Sequence, residues 1–165
     1  MGTALIGLLG IFLGAVLTIL RELWVNERKR QKQAEYLAIR ISCTLDLFVD
    51  GCIAVARDNG IDETEDPRLI GEVCREVQVP EPKLELHSMD VDWKALPPEL
   101  MYHILAFPND IASARQLIDR AWKHPACSPP DYDVYFEERQ YQYAQLGMTA
   151  HTLSERLRED YREPL

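Results

Sequence analysis

Between Thr3 and Leu20 the chain has no charged side chain, and from Ala15 to Asp50 it has neither glycine nor proline. The first absence excludes a solvated surface helix for that stretch. The second means that nothing in the backbone chemistry obliges a helix begun there to stop. Other absences narrow the chemistry. The four cysteines, Cys43, Cys52, Cys74 and Cys127, form no CxxC and have no histidine at ligand spacing, which removes zinc-ribbon and thioredoxin-like readings. Each is read as a small buried hydrophobe. No glycine-rich phosphate loop, GxSxG elbow, HExxH or Glu-x-x-His occurs, so no nucleotide, hydrolase or di-iron motif is present and no cofactor or metal is implied.

What is there begins with the uncharged run itself. Eleven of its eighteen residues are Leu, Ile, Val or Phe. At about −0.5 kcal/mol each, these favour insertion into a bilayer by roughly 5 kcal/mol. At 1.5 Å per residue the run covers about 27 Å, close to the roughly 30 Å of a hydrocarbon core. It is apolar on every side, which fits an in-plane amphipathic helix badly. A cleavable signal peptide needs a positive region before the run and small residues after it. Here only "MGT" precedes it, and "RELWVNERKR" follows. Ile6 stands where a myristoylation signal needs Ser or Thr, and the first basic residue is Arg21, too late for a mitochondrial presequence.

The sequence therefore predicts a permanent anchor over residues 1–25 and a basic juxtamembrane collar over 26–33. An acidic helical domain follows over 34–165. Trp24, with an apolar ring and one polar N–H, suits the membrane interface; Arg21, Arg28, Lys29, Arg30 and Lys32 hold the collar on the cytoplasmic side and leave the N-terminus outside. The same basic residues suit anionic lipid. Gly10 and Gly14 form a GxxxG that lets a second helix approach closely. Of 18 basic and 27 acidic side chains, five and two fall before residue 34, which leaves the body with a formal charge of −12. A body of that sign repels phosphate backbones, so nucleic acid is not expected as a partner.

The predicted fold class is all-α: a single N-terminal transmembrane helix continuing into a small cytosolic helical bundle with a proline-rich extended connector. The first helix is expected to run to about Arg57, with Leu37, Ile41, Leu45, Phe48, Cys52 and Val55 facing a core. Asn59-Gly60 is a turn, and Asp66-Pro67 a helix start. "VPEPKLELHSMDVDW" reads as extended chain, with a lone hairpin as the alternative. Pro97-Pro98 opens a helix that Pro108 is expected to interrupt after Phe107, with Asn109 restarting it. From Tyr135 to about Tyr161, the spacing of Phe136, Tyr143, Leu146, Ala150, Leu153 and Leu157 approaches a heptad, weakened at Gly147.

Candidate functional residues are few. Asp46 and Asp50, and Glu99 and His103, have the spacing that places side chains together on a helix, but the first pair falls on the side away from the apolar stripe and reads as a solvated face. His87, His103, His124 and His151 are scattered. The segment "DYDVYFEERQYQY" holds more aromatics than one stripe can bury, so Tyr132 and Tyr135 are candidate partner-binding residues, with packing inside the chain as the competing account. These features predict a membrane-tethered adaptor whose partners are the lipid bilayer and another protein or a second copy. An accessory subunit of a membrane complex, and a membrane-anchored enzyme built from dispersed residues, are the alternatives.

Overall fold

The computed structural model describes residues 2–61, 75–86, 91–125, 127–128 and 132–161, with side chains from Leu13 onward. The described residues contain three long helices and no strand. Helix α1 runs Gly2–Arg57, α2 Pro98–Trp122 and α3 Asp133–Asp160, with a single 3-10 turn at Trp93–Ala95. Arg30 reaches the Lys94 carbonyl at one end of the bundle, and Trp122 meets Tyr132 at the other. The chain thus rises along α1, returns through the connector, rises again along α2 and descends along α3.

Helix α1 is continuous because no glycine or proline lies between Gly14 and Gly51, and its second half has a core to dock on. Leu37, Ile41, Leu45, Phe48, Cys52 and Val55 recur every three or four residues and all are buried. Against them α3 lays Phe136, Tyr143, Leu146, Ala150, Leu153 and Leu157, also buried. At Gly147 the two helices pack tightly: a Cβ there would lie 3.1 Å from Cys52 Cβ. The residue that weakens α3 as an isolated helix is the one that admits its neighbour. Helices α1 and α2 meet through large side chains, with Phe48 and Phe107 edge to face at 5.6 Å between ring centroids.

Pro108 does not end a helix; α2 passes through it unbroken. A proline inside a helix removes one hydrogen bond and costs about 3 kcal/mol. The buried stripe Leu100, Ile104, Phe107, Ile111, Ala114 and Ile118 keeps its phase across residue 108. Breaking the helix there would rotate half the stripe off the core, so burial overrides the local preference.

The connector is extended and lies along the helices, with no hairpin pairing in residues 75–86. Leu86 is buried, Val79 and Leu84 pack against the core, and Pro82 seats on α1 where Gly51 leaves room for it. The turn at Asn59-Gly60 forms as its sequence requires: Gly60 adopts φ +74°, and the Asp58 and Asn59 carboxyl and amide oxygens accept from the Gly60 and Ile61 amides at 3.0 Å. The expected helix start at Asp66-Pro67 lies outside the described residues, as do Cys74 and His87.

The first buried residue of the core is Ala34. On the N-terminal side of it, Leu13, Leu17, Leu20 and Leu23 are each more than half exposed. Among the described residues no helix is long and apolar enough to cross a membrane. Residues 3–12, more than half of the uncharged run, lie outside the residues whose side chains are described.

Candidate functional site

The collar residues Arg21, Trp24, Arg28, Lys29, Arg30 and Lys32 are all exposed on α1. Four residues apart on a helix, Trp24 and Arg28 are neighbours, and the Arg28 guanidinium stands over the indole, 4.2 Å from the ring centroid. Arg30 turns the other way and donates to the Lys94 carbonyl at 3.2 Å. A cleft of about 540 Å³ opens beside it, lined by Glu27, Arg30, Pro98, Asp160 and Tyr161 among others. Burial pushes the Tyr161 hydroxyl upward in pKa and Asp160 adds to this, while Arg30 pulls it back. The collar thus touches the base of the bundle. Gly14 has nothing within 4 Å of a Cβ position, so its side of α1 is open; nothing of Gly10 beyond its place in the helix is described.

Tyr132 and Tyr135 are drawn into one aromatic cluster at the far end. Tyr132 stacks on Trp122 at 5.1 Å, and Tyr135 meets Trp122 and Phe136 edge to face at 5.2 and 5.3 Å. Tyr132 is half-buried in the left-handed conformation at φ 49°, which turns the chain into α3. Burial raises the Tyr135 pKa. Both tyrosines are part-buried and Trp122 is half-exposed, so the cluster holds the α2–α3 corner together and is also partly open to solvent.

The four residues of the dispersed-enzyme reading do not converge. Asp46 is half-buried against α3, where it accepts from Ser154 Oγ at 2.8 Å and pairs with Arg158. Its expected place on a solvated face is corrected: α3 covers that flank of α1. Asp50 is exposed. Glu99 pairs with Arg156 at 3.4 Å, and His103 lies edge to face with Tyr102. Among the described residues no three His, Cys, Asp or Glu side chains are placed to hold a metal.

Two groups were missed by sequence reasoning. The first is a buried ion pair between Asp58, just past α1, and Arg139 of α3, 2.9 Å apart and each about 1% exposed at the side chain. Asp58 also accepts from the Gly60, Gln78 and Val79 amides, and Arg139 donates to the Val79 carbonyl at 2.5 Å. Desolvation pushes the Asp58 carboxyl up, but the amide hydrogen bonds and then Arg139 outweigh it and hold its pKa below the ordinary value. A signal for this existed: Arg139 lies three residues after Phe136 and four before Tyr143, on the apolar stripe itself. Its partner was not legible, because the contact spans 81 residues of sequence.

The second is an apolar groove of about 420 Å³ between α1 and α3, lined by Val49, Cys52, Ile53, Ala144, Gly147 and Met148 among others. Small residues leave the gap, and Met148 is 72% exposed at its rim. Burial pushes the Cys52 thiol up to about 12, so it is a neutral hydrophobe there. Nearby, the buried Tyr143 hydroxyl makes no hydrogen bond of good geometry. Burial raises its pKa, Glu81 raises it further, and Arg115 lowers it.

No protein-family model matches this chain, and no curated protein or solved structure matches it either.

Proposed function

We propose that the chain is a membrane-tethered helical adaptor, with α1 as both its anchor and the first helix of its bundle. The observation that carries the reading is the continuity of α1. One unbroken helix leads from an uncharged run, through exposed leucines and the Trp24–Arg28 stack, to a buried stripe that begins at Ala34. Leu13, Leu17, Ile19, Leu20 and Leu23, all more than half exposed, are costly in water and favourable in lipid. From Leu20 to Ala34 the helix advances about 21 Å, well beyond the roughly 5–8 Å of one headgroup layer, which holds the bundle clear of the membrane surface.

Charge orders the rest. The basic collar faces anionic headgroups and the cytoplasm, while the strongly acidic body is repelled by the same lipid and stands off it, available to a protein partner. That Asp46 and Glu99 are each engaged by an arginine of α3 supports a binding body over an enzyme. Alkaline carbonate washing of vesicles tests the anchor: the full chain stays in the pellet, and a chain lacking residues 1–25 is released. Release of the full chain overturns the proposal.

A further inference from the structure

We infer that two copies of this chain associate in parallel through the face of α1 that its own bundle leaves uncovered. The inference rests on the anchored reading in one respect: insertion in a common direction is what brings two copies side by side.

At about 100° per residue, Tyr36, Ile39, Cys43 and Leu47 fall within a strip about 80° wide, roughly opposite the buried stripe Leu37–Val55. Tyr36 is 64%, Ile39 58% and Leu47 73% exposed, and Cys43, expected to be buried, is exposed too because it faces away from the core stripe. A helix of a bundle needs one apolar face; this one has two. The first turns of this face have the spacing of a coiled-coil seam, with Tyr36 and Cys43 at one repeating position and Ile39 at the other, and Leu47 lies one place past Asp46, which α3 holds.

Its flanks say what covers it. In a parallel pair, a residue on one edge of the seam faces the residue five positions further along on the partner. Glu35 borders this strip on one side and Arg40 borders it on the other. Glu35 of each copy therefore meets Arg40 of its companion, twice by symmetry. Among the described residues, neither makes an ion pair within its own chain. Charge complementarity of this kind selects a second copy in parallel and disfavours an antiparallel one. Gly14, with open space beside it, lies on the same line of the helix, and Asp50 closes the seam at its far end. Three turns of seam are short for a dimer free in solution. Confinement to a bilayer raises the effective concentration and fixes the orientation, which makes a short seam sufficient.

The test uses the full chain in vesicles of phosphatidylcholine and phosphatidylserine, oxidised with copper phenanthroline. A disulfide-linked dimer forms, Cys43→Ser abolishes it, and removal of Cys74 and Cys127 leaves it unchanged. Glu35→Arg or Arg40→Glu alone lowers the yield at least about threefold, and the two together restore it. Retention after carbonate washing is read on the same vesicles. A chain that is not retained overturns the anchor and the seam with it. A chain that is retained yet stays monomeric overturns the seam alone and leaves the face to a different protein. A Cys43 dimer indifferent to both charge changes marks random collision and also overturns it.

Discussion

Arg139 is a buried charge on which three parts of the fold converge. It is 1% exposed and bridges α3, the end of α1 and the connector through Asp58 and the Val79 carbonyl. Replacing it by Met leaves a buried carboxylate without its counter-charge, and a loss of about 3–5 kcal/mol is expected in urea unfolding. The pH dependence has a defined sign. The folded pKa of Asp58 lies below its unfolded value of about 4, so its contribution is complete above that value and is lost as pH falls through the folded one. Asp58→Asn should accordingly flatten the acid limb of the stability profile, and an unchanged limb would contradict the assignment. Gly60 carries a different constraint. Its φ of +74° and the Phe136 ring beside it leave no space for a side chain, so Gly60→Ala should cost more than about 1 kcal/mol.

Helix α2 shows how an element overrides one of its residues. Pro108 lies in mid-helix, yet the stripe on either side of it docks on one core. Pro108→Ala restores the missing hydrogen bond and should raise the thermal midpoint, by an amount on the order of 1–3 kcal/mol in stability. A fall instead would mean that the ring itself fills a needed place in the packing. At the end of α2, Trp122, Tyr132 and Tyr135 form a corner whose rings also reach the surface. Aromatic pairs add about 0.5–1.5 kcal/mol beyond area burial. Replacing Tyr132 and Tyr135 together by alanine should therefore lower stability measurably if the corner is mainly a clasp. If its exposed edges mainly serve a partner, thermal stability stays nearly intact and capture weakens.

The molecule as a whole divides at Ala34, where burial begins. Among the described residues every buried one lies at or beyond that point, so residues 34–165 alone should unfold with nearly the same midpoint as the full chain, measured in one mild detergent. A large loss would show that the collar, through Arg30 and Lys94, is part of the bundle. Reactivity should follow the same geography. In the single chain, dispersed in detergent, maleimide should modify exposed Cys43 at once and buried Cys52 only on unfolding, read by peptide mass mapping.

The helical class, the end of α1 near Arg57 and the buried stripes of α1 and α3 were legible in the sequence. A helix reports its buried face through residues three and four apart, a signal local enough to need no knowledge of the neighbours. The Gly60 turn and the extended connector were legible for the same reason. Three things waited for the tertiary structure. One was the passage of α2 through Pro108, which depends on the core that the buried stripe on either side of it docks on. Another was the arginine pairing that occupies Asp46 and Glu99, and the third was the choice of Asp58 as the counter-ion of Arg139. Each is a contact between residues far apart in the chain, and its free energy exists only once helices that carry no local record of one another have been brought within a few ångströms.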